Sequence, residues 1–189
     1  MTDTIMILAA GMSSRMKKSD FDNLNQSKID QANRKSKSLI SFGKENKPFI
    51  YFLLDNIIKA NYKNLVLVVG KDYAEFKQNI KNYKSSHKLN ISYATQKIPS
   101  DRVKPFGTSD AVSQAIEQFP RLKSESYCVC NSDNLYSVNA LKLIRENHFE
   151  NAVLAYDRDS LEFPNERVST FSIITMDSNM NLLNFINRN

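Results

Sequence analysis

The sequence predicts an α/β protein, a three-layer α/β/α sandwich around a mostly parallel central sheet. Three observations lead to this fold class. Apolar runs of strand length alternate with segments of helical periodicity along the chain. The run 64–70, NLVLVVG, is almost wholly apolar, which is typical of a strand buried on both faces. The length of 189 residues, with 41% hydrophobic and 10% aromatic residues, suits a single domain over 1–189 with a real core.

The first half of the chain supplies two buried strands and two helices. The apolar run Thr4–Ala9 predicts a buried strand, and residues 17–36 are polar with both charge signs, which predicts a mobile surface insertion. A helix is predicted from Pro48, because apolar residues recur at helical spacing after a proline suited to the first position. After the strand 64–70, Asp72 and Glu75 predict the capped start of a helix over 73–82.

The second half continues the alternation. Helices are predicted at 108–118, with Thr108 as the N-cap, and at 138–147. A turn is expected at 177–179. Strands are predicted at 90–95, 127–131, 152–156, 168–175 and 182–186.

Composition argues against several classes of protein. The net charge of +6 comes from lysines scattered along the chain, and no basic stretch interleaves with aromatic residues, so a nucleic-acid surface is not expected. No apolar run approaches the roughly 20 residues that span a bilayer, and no signal peptide is expected. Cys128 and Cys130 have neither disulfide nor zinc spacing, so we expect buried, reduced thiols and a cytoplasmic protein.

Polar residues that could carry chemistry follow the predicted strands. Parallel strands bring their carboxyl ends to one edge of the sheet, where such folds bind ligands. After the first strand come Gly11, Ser13, Ser14 and Arg15, which could turn amide groups and a cation toward phosphate. The spacing matches neither G-x-x-x-x-G-K-[ST] nor G-x-G-x-x-G. Taken alone, this loop is better explained as a plain structural turn.

Two further loops allow a ligand-binding and a structural interpretation. Gln96 follows the strand 90–95 and could bond a nucleobase edge, with Gly107 and Thr108 close to the same base; the alternative is an ordinary helix start. Asp133 follows the strand 127–131 and could bind Mg²⁺, or it could belong to a turn before the next helix.

Taken together, the sequences of these loops resemble the motifs of the nucleotidyltransferase superfamily, whose members make NDP-sugars. The string LAAGMSSRM (8–16) is similar to the Leu-Ala-Ala-Gly-x-Gly-x-Arg-Met signature, and Ser36-Lys37-Ser38-Leu39 to the Pro-Lys-x-Leu string that follows it. GKENKPFIYFLLDNI resembles the Gly-Lys-Pro-Leu-Ile segment. QKIPSDRVKPFGTSDAV resembles the base-recognition segment, and CNSDNLYS the Gly-Asp-x-Leu metal-binding turn.

The resemblance implies a role for each matching residue. Arg15 and Lys37 are implied to be catalytic, and Asp133 to bind Mg²⁺. The residues implied to bind the nucleotide are Leu8, Ala9, Ala10, Gly11, Ser13, Ser14, Gln96, Gly107 and Thr108. The implied reaction transfers NMP from an NTP to a sugar 1-phosphate or similar phosphomonoester and releases pyrophosphate. The implied partners are these small molecules, with a homo-oligomer possible and neither nucleic acid nor a membrane expected.

The sequence departs from the family pattern at three places. Ser13 replaces the second glycine, the segment 17–36 lengthens the gap before Lys37, and the sequence stops at Asn189, where family members continue into an acceptor-binding part. These departures keep a catalytically impaired nucleotide-binding or regulatory module as the main alternative. A cytidylyltransferase for an amino-alcohol phosphate, a GT-A glycosyltransferase and a basic nucleic-acid-binding domain rank lower.

Overall fold

The computed structural model describes residues 1–11, 36–83 and 85–186. The chain divides into two compact units, Met1–Phe149 and Glu150–Asn189, which are described separately below. The single domain expected over 1–189 stays a prediction. The insertion expected at 17–36 lies, apart from Ser36, outside the described residues.

The first unit alternates strands with helices, as the sequence predicts. Within the described part of the chain, no helix is both long and apolar enough to cross a membrane. The strands are β1 (Thr4–Leu8), β2 (Ser41–Phe42), β3 (Lys47–Pro48), β4 (Asn64–Val69), β5 (Asn90–Thr95) and β6 (Tyr127–Asn131). The helices are α1 (Phe49–Lys59), α2 (Ala74–Asn82), α3 (Thr108–Gln118) and α4 (Val138–Glu146), with single 3₁₀ turns at Lys37–Leu39, Ser86–Lys88 and Pro120–Lys123.

Four of the strands form a parallel sheet in the order β5-β4-β1-β6. The central strand β1 aligns Thr4 with Asn64 of β4 on one side and with Tyr127 of β6 on the other. The two-residue strands β2 and β3 pair separately as a small antiparallel ladder. The parallel sheet places the carboxyl ends of all four strands at one edge.

Helices cover both faces of the sheet, because successive strand side chains point to opposite faces. Ile5 and Ile7 of β1 belong to a core that includes residues of α1, α2 and α4. Met6 belongs to the core on the other face, where α3 packs through Ala111 and Ala115. The predicted α/β/α layering with a parallel sheet is confirmed.

The second unit contains a short helix and a hairpin. A 3₁₀ turn spans Arg158–Ser160, and helix α5 spans Asn165–Val168. Strands β7 (Ile173–Met176) and β8 (Leu182–Ile186) pair antiparallel. The Asp177 carboxylate accepts hydrogen bonds from the backbone N–H groups of Asn179 and Asn181, which closes the turn expected at 177–179.

Two predicted strands are wrong or misplaced in this region. Residues 152–156 carry the apolar string AVLAY, but they form no strand, and Val153 and Tyr156 are each 64% exposed. A short apolar run becomes a strand only where a neighbour pairs with its backbone, and sequence alone does not supply that neighbour. The strand expected at 168–175 begins only at Ile173, because residues 165–168 form a helical turn.

Two predicted helix caps are also wrong. Tyr73 occupies the N-cap of α2 in place of Asp72, and its side chain makes no capping hydrogen bond. Gly107 occupies the N-cap of α3, so Thr108 is the first helical residue rather than the cap. Helix ends are set by backbone geometry that the local sequence specifies only weakly.

Candidate functional site

The loops after β1, β5 and β6 are tied to the sheet by backbone hydrogen bonds beyond the strand ends. The Ala9 N–H donates to the carbonyl of Val68 at 2.7 Å, and the Ser132 N–H donates to that of Leu8 at 3.1 Å. The Gln96 N–H continues the pairing of β4 with β5 at 2.8 Å in the same way. These bonds hold three loops next to one another, as the topology of a parallel sheet requires.

A cavity of about 420 Å³ opens at this edge of the sheet. Its walls come from the loops after β1, β5 and β6, the 3₁₀ turn before β2, and the start of α3. The lining residues are Leu8, Ala9, Ala10, Gly11, Ser36, Lys37, Gln96, Pro105, Phe106, Gly107, Thr108, Ala111, Asn131, Ser132 and Asp133.

Lys37 and Asp133 bring opposite charges to the cavity wall. The Lys37 Nζ lies 3.6 Å from a carboxylate oxygen of Asp133, and both side chains are a little over two-fifths exposed. Lys37 opens a single 3₁₀ turn whose last residue, Leu39, is fully buried in the core, so the backbone at Lys37 is anchored. Because the pair is exposed to water, we expect it to contribute little to folding, less than about 1 kcal/mol. Both charges therefore lie where a polar ligand can reach them.

Gln96 brings a buried amide to the same cavity. The residue is only 4% exposed, and its Nε2 donates to the Asp110 carboxylate at 2.7 Å and to the Phe106 carbonyl at 3.2 Å. A longer contact of 3.5 Å reaches the carbonyl of Gly107. The amide is therefore fixed between the end of β5 and the first turn of α3.

The two cysteines lie on β6 below the cavity and are not joined in a disulfide. Burial, and then the neighbouring Cys128, raise the pKa of the Cys130 thiol to about 12. Burial also raises the pKa of Cys128, which accepts a hydrogen bond from the Tyr62 hydroxyl at 2.9 Å. Thiols with raised pKa values are poor nucleophiles at neutral pH. Both cysteines are core residues, as their spacing predicts.

The sequence-predicted site residues meet in this cavity wherever the structure describes them. They are Leu8, Ala9, Ala10, Gly11, Lys37, Gln96, Gly107, Thr108 and Asp133. Ser13, Ser14 and Arg15 lie outside the described residues, and their implied roles stay predictions.

Sequence reasoning missed wall residues such as Phe106, and it missed the contact made by Asp110, which does not itself line the cavity. Phe106 is about half exposed and lines the cavity directly before Gly107, and Asp110 holds the amide of Gln96. The position of Phe106 beside a predicted binding glycine was an available signal. Nothing in the sequence indicates that Asp110 bonds Gln96 across fourteen positions.

Comparison with known proteins gives the family. The family model described as nucleotidyl transferase matches residues 32–187, most of the chain. The chain belongs to the nucleotidyl transferase family. The match begins after β1, so it does not include the string LAAGMSSRM. No curated protein matches the chain.

A solved structure shows the same fold. It is a crystal structure of UDP-glucose pyrophosphorylase complexed with UDP-glucose, with a TM-score of 0.65 and 15% sequence identity. The similarity covers 100% of this chain and 70% of that chain. At 15% sequence identity, this similarity shows only that the two proteins share a fold.

Proposed function

We propose that this chain transfers NMP from an NTP to a sugar 1-phosphate or similar phosphomonoester. One observation carries the proposal: a single cavity collects a lysine, an aspartate, a buried amide and glycine backbone from separate segments of the chain. In open α/β sheets, ligands bind at this carboxyl edge of the strands. The solved structure described above, which has a similar fold, is a UDP-glucose pyrophosphorylase complexed with UDP-glucose, and this agrees with the proposal.

The base end of the nucleotide is assigned to Gln96, Gly107 and Thr108. Gln96 offers an amide that is already fixed in place, so no side-chain freedom is lost when a base binds it. Gly107 and Thr108 form the start of α3, and both line the cavity. The backbone of Ala9, Ala10 and Gly11 forms the adjoining wall, where small residues leave room for a nucleotide.

The phosphate end is assigned to Lys37 and Asp133, with Ser13, Ser14 and Arg15 as proposed further ligands. A lysine ammonium at the wall can bind phosphate oxygens and stabilise charge that develops during transfer. This ammonium lies 3.6 Å from a carboxylate oxygen of Asp133. A bound triphosphate offers the ammonium a more highly charged partner, so Lys37 would leave the carboxylate for the nucleotide.

The residues present fit a magnesium ion that arrives with the nucleotide. Among the described residues, no cluster of three or more His, Cys, Asp or Glu side chains could hold a metal ion. Mg²⁺ in phosphoryl-transfer sites needs only one or two protein carboxylates, and substrate phosphates and water complete its ligands. Asp133 supplies one accessible carboxylate in the cavity. The ion would neutralise phosphate charge and polarise the reacting phosphoryl group.

The proposed reaction needs no protein nucleophile. A phosphate oxygen of the sugar phosphate attacks the α-phosphorus of the NTP, the new P–O bond forms, and the bond to the β-phosphate breaks. Pyrophosphate leaves with the electron pair, so atoms and charge balance. Because a phosphomonoester is already an anionic nucleophile, the chain has to position it and stabilise charge.

The experiment measures pyrophosphate release from each of four NTPs with Mg²⁺ and a panel of sugar 1-phosphates. Phosphocholine is included to test the cytidylyltransferase alternative. We expect release with one NTP and one acceptor, and a loss of about 100-fold or more in Lys37→Met. Lys63→Met is the matched control, because Lys63 is exposed and does not line the cavity.

Two results would contradict the proposal in different ways. Saturable NTP binding without pyrophosphate release would favour a nucleotide-binding module. Absence of both binding and release would exclude a nucleotide site altogether.

A further inference from the structure

The amide of Gln96 is held in one orientation. Both N–H groups of Nε2 are used, one by the Asp110 carboxylate at 2.7 Å and one by the Phe106 carbonyl at 3.2 Å. A flipped amide would place Oε1 against this carboxylate and carbonyl, where acceptor would face acceptor. The flipped state is therefore strongly disfavoured.

The consequence is that only the carbonyl oxygen of Gln96 is left for a ligand. The side chain is buried and lines the cavity, and its Oε1 takes part in none of the hydrogen bonds formed by the described residues. Among the described residues, only the Arg145 Nε is a fully buried side-chain nitrogen or oxygen without a hydrogen-bond partner, so the Gln96 Oε1 is accessible to solvent and can accept from a ligand. Gln96 thus presents a hydrogen-bond acceptor to the cavity and no donor.

Asp110 owes its own position to helix α3 and the loop beyond β5. Gln114, one helical turn after Asp110, donates from Nε2 to the same carboxylate oxygen at 3.0 Å. Its amide also donates to the Lys97 carbonyl at 3.2 Å and accepts from the Lys97 N–H at 2.8 Å. Asp110 and Gln114 therefore fasten the loop that carries Gln96 to the helix.

We propose that Asp110 is a positioning residue. It holds the Gln96 amide so that Gln96 offers the nucleobase a hydrogen-bond acceptor and no donor, and in this way it sets base selectivity. This inference rests on the proposed function, because it requires the cavity to hold the base. Asp110 does not itself line the cavity, and it acts through the Gln96 amide.

A hydrogen-bond acceptor at a fixed position can discriminate between two bases that share the same ring system. Uracil and cytosine share one ring, but at positions 3 and 4 they exchange N–H donors and acceptors. Guanine and adenine do the same at positions 1 and 6. An acceptor held at either position bonds one member of each pair and faces an acceptor of the other. Sites built to hydrogen-bond a substrate group reject analogues that lack it strongly.

The test measures dissociation constants for UTP, CTP, GTP and ATP in the presence of Mg²⁺. The wild type is expected to prefer one member of a same-ring pair by about tenfold or more, corresponding to one hydrogen bond. Asp110→Ala frees the Gln96 amide to turn, so this ratio should fall at least about fivefold. Asp110→Asn keeps an acceptor oxygen for Gln96 and should stay within about twofold of the wild-type ratio. Glu117→Leu removes an exposed charge from the same helix and should leave the ratio unchanged.

The ratio separates positioning from a merely structural role. If Asp110→Ala weakens the binding of both nucleotides of the same-ring pair equally, or changes neither, the ratio of their dissociation constants does not move. Either result would overturn the inference. If Asp110→Ala fails to fold, Gln114→Met loosens the same carboxylate, and a smaller fall in the ratio is expected; no change would again overturn it. Tight binding with an unmoved ratio refutes only this inference, whereas no binding of any NTP by the wild type refutes the proposed function as well.

Discussion

Replacing Gly107 with alanine tests whether the cavity wall contacts a nucleotide. Gly107 lines the cavity at the N-cap of α3, with backbone angles of −68° and −163° that other residues adopt. A Cβ built there meets no heavy atom of the described residues within 4 Å, its chain neighbours aside. The added methyl group therefore has room in the folded chain, at a residue that lines the cavity which the proposed function assigns to the base.

The expected changes in stability and in affinity differ in size. Alanine reduces the conformational entropy of the unfolded chain, which stabilises the folded state by about 0.4–1 kcal/mol. Alanine is also a poorer N-cap than glycine, which destabilises the folded state by a similar amount. The free energy of unfolding should therefore change by less than about 1 kcal/mol. Crowding a bound base by one methyl group costs about 1–3 kcal/mol. This corresponds to roughly 5- to 150-fold weaker NTP binding.

Calorimetric titration of the preferred NTP with Mg²⁺, beside urea denaturation, measures both quantities. Gly70→Ala is the matched control, because a Cβ at Gly70 also meets no described atom within 4 Å and Gly70 does not line the cavity. It should bind NTP as the wild type does. Wild-type affinity in Gly107→Ala, with normal folding, would refute the assignment of this wall to the base.

Three further outcomes follow from other residues. Asp133→Asn should weaken Mg²⁺-dependent NTP binding at least about tenfold in calorimetry. Its ion pair with Lys37 is exposed, so the free energy of unfolding should change by less than about 1 kcal/mol. An equal loss of NTP affinity in the presence of EDTA would contradict a metal role for Asp133. Tyr62→Phe should cost about 1–2 kcal/mol in urea denaturation, because a hydroxyl of a residue only 1% exposed contacts Cys128 Sγ and the Leu141 carbonyl; unchanged stability would show these contacts to be unimportant. The pKa of Cys130 is raised by folding from about 9 to about 12, so the unfolded chain loses this proton first and the free energy of unfolding falls as pH rises through that window. Cys130→Ala should make that fall shallower, and an identical slope would contradict it.

The sheet and its ligand-binding edge could be predicted because the signals are local and strong. The apolar run 64–69 has one stable environment, a buried parallel strand, and helix α1 shows a continuous apolar face after Pro48. Once strand order is parallel, Leu8, Gln96 and Asp133 must meet at one edge, whatever their separation in sequence. The site was therefore predictable from topology more than from any single motif.

The features that could not be predicted depend on partners distant in the chain. The string AVLAY at 152–156 has strand propensity, but pairing decides whether a strand forms. The bond from Gln96 to Asp110 depends on how the loop after β5 folds back onto α3. Neither periodicity nor composition encodes that path.

Hydrogen exchange measured by mass spectrometry, with and without NTP and Mg²⁺, tests the central claim most directly. The account predicts slower exchange in peptides that contain residues 8–11, 96, 105–108 and 131–133, which line the cavity. The same peptides should show less slowing in Gln96→Leu at equal nucleotide concentration, because one hydrogen bond to the base is lost. Slowing confined to other peptides, such as the β7–β8 hairpin at 173–186, would contradict the placement of the nucleotide in this cavity.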